Sequence, residues 1–433
     1  MRHSSLAGQV RPNYSRSWFP LRKSDITTIL FVESGETGGG SLESLYQHLR
    51  VIDTSLFRPI VVCLNDLPHV ARIQELGIPV HVLSDPLYSK LASAPWRWLL
   101  RKLRSAAIRS SRFAPWVYPW VLRFIHWPTI HALANLARTE QADLFYLNVQ
   151  SYRDFFAIIA AQQVGALCIS HLRSADPGSK GQFNRSMVRY SNSVVGAYVA
   201  NSKMTRDYWL DAGLDPSKMH IVLNGITEAV IVPADVRQRW GIPLEALLLG
   251  VVGPLRNRYK IDEFALRAVA EYIGQHPKTA LLVIGDGPMA AMLIEESLRL
   301  GIRDHVIMTG HQEYVTEIIA GLDVSLVMGT LDSFSRVAIE SLQVGTPLVA
   351  TDIGGIREIL EDGVNGMLVP YGDTGAFVKA LERIVSDQLF RDELVKNGQR
   401  TVRERLSVER YAAQVSAISL EVMSHKQPPE DLV

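Results

Sequence analysis

The chain alternates buried apolar strands with amphipathic helices, and it does so twice. ITTILFVES (26–34) is an uninterrupted apolar run bounded by turn residues, the pattern of a parallel strand covered on both faces. RPIVVCLN (58–65), IPVHVLS (78–84), DLFYLN (143–148), ALCISHLR (166–173), VVGAYVAN (194–201) and HIVLNG (220–225) repeat it, with helical segments between several of them. The rhythm breaks at 226–244, which carries two prolines and no clean period. It then restarts with ALLLGVVG (246–253), TALLVIGDG (279–287), HVIMTG (305–310), VSLVMG (324–329), PLVATD (347–352) and GMLVP (366–370). After residue 373 the pattern is helical almost to the end. Strand, helix, strand in this order predicts α/β architecture with parallel sheets and right-handed crossovers.

The expected organisation is therefore a tail at 1–24, a Rossmann-like domain at 25–230, a second at 231–410, and a closing helix and tail at 411–433. A length of 433 residues suits two such domains. The charge is balanced, 45 basic against 44 acidic residues, which argues against a nucleic-acid binder. Cys63 and Cys168 lie in apolar runs and read as buried small hydrophobes rather than a disulfide framework or metal site. No export signal is read at the N-terminus, and no stretch reaches the ~18 apolar residues of a membrane span. The expected location is cytoplasmic, peripheral on the inner membrane face.

One segment departs from the rhythm. Residues 86–139 hold no Asp or Glu, many arginines, and Trp96, Trp98, Trp116, Trp120 and Trp127, five of the eight tryptophans. Rings at headgroup level with cations on anionic lipid suit a membrane surface, here through 90–127. The alternative is the core of an irregular helical insertion with a solvated basic face.

In open α/β sheets ligands bind at the C-terminal ends of strands. Gly38, Gly39 and Gly40 follow the first strand and lead into a helix, whose N-terminus suits an anion; the bland alternative is a tight turn. His171 ends a strand, where it faces the crevice or is a satisfied structural histidine. Arg256, Arg258 and Lys260 follow the first strand of the second half, where cations neutralise a diphosphate or simply face solvent. Asp332 and Glu340 flank a strand-to-helix turn, LDSFSRVAIESLQVG. Glu340 sits in an otherwise apolar helix and needs a partner. A pair of sugar hydroxyls is one, a backbone group another. The amides near Ser335 and Arg336 can cradle phosphate.

From about 26 to 415 the chain resembles the large family 4 of retaining glycosyltransferases, with the fold called GT-B. The resemblance rests on the Asp332–Glu340 region, VGTPLVATDIGGIREIL and DGVNGMLVP, supported by GDGP (285–288), TGH (309–311), VANSKMTRDYW (199–209) and IVLNGI (221–226). It implies a nucleotide-sugar donor held mainly by the second domain and a glycan or lipid-linked acceptor on the first. Transfer of a hexose would retain configuration and need neither metal nor cofactor. His171, Asp332 and Glu340 would form the reaction centre, with Glu340 on the ribose. Arg256, Lys260, Gly39 and Gly40 would meet the diphosphate. Gly285, Gly287, His311, Ser333, Phe334, Ser335, Arg336 and Val337 would meet the sugar and nucleotide. The last helices would return to the first domain. The chain departs from the family at Asp332 (usually Glu), Ser335 (usually Gly) and Pro254 (usually Arg). These departures leave a non-catalytic partner subunit as a rival, beside a nucleotide-sugar epimerase.

Overall fold

The computed structural model describes residues 26–35, 39–67, 69–83, 126–149, 153–175, 185–228, 230–256, 259 and 261–425. The Trp- and Arg-rich stretch 90–125, Gly38, Arg258 and Lys260 lie outside them. Of the basic insertion, the helix Trp127–Thr139 is described; it buries Ile130, Leu133, Ala134 and Ala137 in the first core.

The first sheet contains β1 (Thr27–Glu33), β2 (Phe57–Cys63), β3 (Val80–Val82), β4 (Leu144–Leu147), β5 (Leu167–Leu172), β6 (Ala197–Ala200) and β7 (Met219–Ile221). The second contains β8 (Leu247–Val252), β9 (Thr279–Ile284), β10 (Val306–Gly310), β11 (Val324–Val327), β12 (Leu348–Thr351) and β13 (Met367–Val369). Their orders are β3-β2-β1-β4-β5-β6-β7 and β10-β9-β8-β11-β12-β13, and every pairing is parallel. All seven residues of β1 and all six of β9 are buried, which is why these strands read as continuous apolar runs. Helices cover both faces, and buried cores lie on either side of each sheet. The architecture is the expected one, two Rossmann-like domains.

The order reverses at β1/β4 in the first sheet and at β8/β11 in the second. A crevice opens at the C-terminal edge of such a reversal, because successive crossovers leave in opposite directions there.

The linker differs from its expected irregularity in one place. Val236–Trp240 forms a short helix, capped by the Asp235 side chain and closed by Gly241 in left-handed conformation. Five residues are too few to show a helical period.

The final helix, Val408–Ser424, starts at the Ser407 cap and crosses back. Tyr411, Val415, Ile418 and Val422 join the core of the first domain. The backbones of Ile226 and Ser407 pair where the two crossing segments meet. A Cβ at Gly225 would lie 2.5 Å from the Ser407 carbonyl, so only glycine admits this crossing. The two domains are thus joined by two covalent passages lying side by side.

Candidate functional site

A cleft of about 350 Å³ opens where the two reversal points face each other. Gly40, Ser41, Arg173, Ser174, Asn201 and Asn224 line it from the first domain. Pro254, Arg256, Tyr259, Leu331, Asp332, Ser333, Phe334 and Arg336 line it from the second.

The second-domain wall is built by backbone pressed against backbone. A Cβ at Gly354 would lie 2.1 Å from the Asp332 carbonyl oxygen, and one at Gly355 2.0 Å from that of Ser333. The Gly355 N–H donates to the Asp332 carbonyl at 2.9 Å. The double glycine therefore sets the height of the loop that presents Asp332 and Ser333. Gly285 and Gly287 do the same for the neighbouring loop. Their Cβ atoms would lie 2.0 Å from the Gly253 oxygen and 2.4 Å from the Leu255 oxygen, and both have positive φ. Leu255 N–H also donates to the Asp286 carbonyl at 2.9 Å. Gly285 and Gly287, expected at the nucleotide, fix the loop that carries Arg256.

Two departures from the family pattern find a local reason. Ser335 is an N-cap with φ −80°, a conformation that needs no glycine. Its Oγ accepts the Ala338 N–H at 3.3 Å. The first turn leaves the Arg336 and Val337 N–H groups without intrahelical acceptors. Pro254 and Arg256 both line the cleft, so the cation two residues on remains available there. Phe334 is buried among Ala338, Ile339 and Ile356. Ser333 Oγ accepts the Ala175 N–H at 2.9 Å, a direct bond between the domains. His311 is exposed, and it is not among the residues lining the cleft.

The first-domain wall corrects the reading of His171. Of the two readings of this strand-end residue, a crevice-facing histidine and a structural one, the ring fits the second, since it is fully buried. Its Nδ1 lies 2.7 Å from the Tyr146 hydroxyl and 3.5 Å from that of Tyr411, while Nε2 meets no partner among the described residues. Burial, with Arg173 and His48 nearby, holds it well below its ordinary pKa, so it is neutral. The final helix, by bringing Tyr411 over the ring, closes that side. Arg173, two residues on and hence on the same side of the strand, is the group that lines the cleft.

Arg173 is held by four hydrogen bonds. Nε donates to the Asn148 carbonyl (2.8 Å), Nη2 to Asn148 Oδ1 (2.6 Å) and Tyr411 Oη (3.5 Å), and Nη1 to Asn224 Oδ1 (2.9 Å). Asn148 is itself gripped: its Nδ2 donates to the buried Glu33 carboxylate and to the Ser41 carbonyl at 3.0 Å. Glu33 also accepts the Gly35 N–H at 2.7 Å. Burial raises the Glu33 carboxyl, and these bonds together with Arg173 oppose the rise. Gly39 caps the helix Gly40–Leu49, whose first turn lines the cleft at Gly40 and Ser41.

Glu340 is paired within its own helix. It is not among the residues lining the cleft, and its Oε1 accepts from Arg336 Nη2 at 3.0 Å. Burial raises its carboxyl; Arg336 counters this, and the nearby Glu43 adds to it. The same Arg336 reaches across to Ser44 Oγ at 3.3 Å. Burial would raise Glu43 too, but His69, Arg336, Gln47 and Arg72 outweigh it and hold it at about 2.

Sequence reasoning left Arg173, Asn201, Asn224, Ser41 and Tyr259 without site roles. The signal for the two asparagines was present, since each follows the apolar run of a strand (VVGAYVAN and HIVLNG) where only loop or site residues fall.

Two facing Rossmann-like domains with a cleft at paired reversal points have the architecture called GT-B. Residues 234–401 match the family Glycosyl transferases group 1, and residues 69–229 match Glycosyltransferase Family 4. The chain belongs to this family and is a transferase of glycosyl groups. It is 25% identical over 302 residues to N-acetyl-alpha-D-glucosaminyl L-malate synthase of Bacillus anthracis, covering 67% of this chain and 78% of that protein. It is 32% identical over 220 residues to D-inositol 3-phosphate glycosyltransferase of Acidothermus cellulolyticus, covering 46% of this chain and only 49% of that one. Among solved structures, Anabaena HepE in complex with UDP and glucose aligns with a TM-score of 0.72 at 20% identity, over 91% of this chain and 100% of that one. This last likeness is one of fold.

Proposed function

We propose that the enzyme transfers a hexose from a nucleoside-diphosphate sugar to a hydroxyl acceptor with retention at C1 and without a metal. The observation that supports this reading is the meeting, in one cleft, of Arg256, Asp332 and the helix start at Phe334 and Arg336, opposite Gly40 and Ser41. Arg256 and the free amides of that helix answer the charge that builds on the diphosphate as it leaves. Asp332 accepts hydrogen bonds from the hexose hydroxyls. The bond between C1 and the β-phosphate oxygen breaks. A bond from C1 to the acceptor oxygen forms on the same face, and the acceptor proton passes to the departing phosphate oxygen. Glu340 meets the ribose once Arg336 yields one of its contacts. UDP-glucose is the first donor to try, because the HepE structures hold UDP and UDP-glucose. The basic, aromatic segment 90–127 fits a lipid-linked acceptor or an anionic membrane. No helix among the described residues is long and apolar enough to cross a membrane.

The test is NMR of the products formed from UDP-hexoses in excess chelator. UDP release with an α-configured product supports the reading. A product of inverted configuration, or activity abolished by chelation, overturns it.

A further inference from the structure

Among the described residues, three guanidinium groups line the cleft: Arg173, Arg256 and Arg336. Two have an evident counter-charge once the donor reading above is accepted, and the inference rests on that reading. Arg336 is paired with Glu340 at 3.0 Å and lies within the field of Glu43. Arg256, on the donor wall, faces the diphosphate. Arg173 stands on the opposite wall, and its partners among the described residues are all neutral: two asparagines and a tyrosine. The Glu33 carboxylate is one amide removed, beyond Asn148.

Holding a half-buried cation with neutral acceptors is costly, because desolvation is not repaid by an ion pair. Here the cost is met by groups from three separate elements. Asn148 follows β4, Asn224 follows β7, and Tyr411 belongs to the helix that returns from the second domain. These groups take four bonds to a fork that has five N–H donors, so one Nη1 hydrogen is left. The Asn148 amide is polarised between Glu33 on one side and Arg173 on the other. A fork locked in this way cannot swing to solvent, and it is preorganised for an anion.

We propose that Arg173 is an anion receptor on the first-domain wall, and that the acceptor carries a phosphate or carboxylate close to the hydroxyl that is glycosylated. The exposed first turn at Gly40 and Ser41 shares this wall and adds amides to it. Glu33 and Asn148 are positioning residues for the fork.

The test uses the full chain saturated with UDP and three probes of one shape: glucose 6-phosphate, glucuronate and glucose. Calorimetry is expected to show glucose 6-phosphate or glucuronate binding roughly tenfold or more tighter than glucose, the step a charge-assisted bond supplies. Whichever anion wins names the group. In Arg173→Gln that preference is expected to vanish while UDP affinity stays within about twofold. Arg173→Lys, which keeps the charge and loses the fork, is expected to fall between the two and serves if Arg173→Gln does not fold. Equal binding of all three probes to the wild type overturns the proposal, as does an anion preference that survives Arg173→Gln. A parallel loss of UDP affinity in Arg173→Gln assigns the residue to the donor diphosphate and overturns it as well. An Arg173-dependent preference for UDP-glucuronate over UDP-glucose places the charge on the transferred sugar and likewise overturns it. A wild type that does not bind UDP removes the donor reading and the proposal together, and the UDP titration tells that failure from the others.

Discussion

Gly355→Ala is the sharpest perturbation available to the donor wall. The added methyl would sit 2.0 Å from the Ser333 carbonyl oxygen, whereas real Cβ contacts hardly ever fall below 3.0 Å. Backbone must therefore move by about 1 Å, and both segments are fixed: Gly355 N–H is bonded to Asp332, and Ser333 Oγ to Ala175. The φ of Gly355 is not positive, so the effect is steric rather than conformational. Overpacking of this kind costs roughly 1–3 kcal/mol, and at about 2–4 °C per kcal/mol for a domain of this size it lowers Tm by roughly 2–12 °C. The shift falls on Asp332, and a displacement of about 1 Å at a reacting group reduces turnover by up to roughly a hundredfold. Donor affinity should drop along with it. Gly274→Ala is the control. Gly274 lies in the helix Glu263–Gln275 with open space where its Cβ would be, and alanine there should stabilise by about 0.5–1 kcal/mol. Thermal unfolding and nucleotide-sugar calorimetry on both variants decide the matter. If Gly355→Ala matches the wild type in Tm and donor affinity, the double glycine does not set the loop.

Other expectations follow from the same geometry. Arg256→Ala should weaken UDP binding roughly tenfold or more with Tm unchanged, because the side chain is exposed on the cleft and charge-assisted phosphate bonds are lost. Glu340→Gln should weaken nucleotide-sugar binding and lower stability slightly, since it also releases Arg336; equal affinity would remove Glu340 from the ribose. Asp154 is fully buried, and burial pushes its carboxyl up to about 8. The folded state keeps a proton that the unfolded state releases above the ordinary carboxylate value of 3.8. Its stability contribution is therefore full below that value and lost as pH rises toward 8, on the order of several kcal/mol. The difference in stability between Asp154→Asn and wild type should grow in favour of the variant from pH 4 to pH 8; a flat difference would contradict it. Replacing the tryptophans and arginines of 96–127 should lower sedimentation with anionic vesicles, and equal sedimentation would reject the membrane contact.

The central strands were legible because they are buried on both faces, leaving apolar runs such as β1 and β9 that nothing interrupts. The donor loop was legible for a related reason: Asp332, Ser335 and Glu340 break such runs at strand ends and in a buried helix. What was not legible depended on contacts between distant segments. Whether His171 faces the cleft or is structural stays open until Tyr411, 240 positions away, is laid beside it. Glu340 reads as an unpartnered acid although Arg336 stands one helical turn before it, a pairing that the i, i+4 spacing permits. The resemblance places Gly285 and Gly287 at the nucleotide; what no sequence pattern shows is that their backbone also presses on Gly253 and Leu255. Arg173 carries no local mark at all, since its role comes from Asn148, Asn224 and Tyr411 converging on it.

The cleft between the two domains is expected to hold a nucleotide-sugar without a metal. Calorimetric titration of the full chain with UDP-glucose and related donors in excess chelator tests it most directly. The expected result is binding of one donor, weakened by Arg256→Ala and by Asp332→Asn in variants that remain folded. Absence of binding to every donor, or binding untouched by both substitutions, would contradict it.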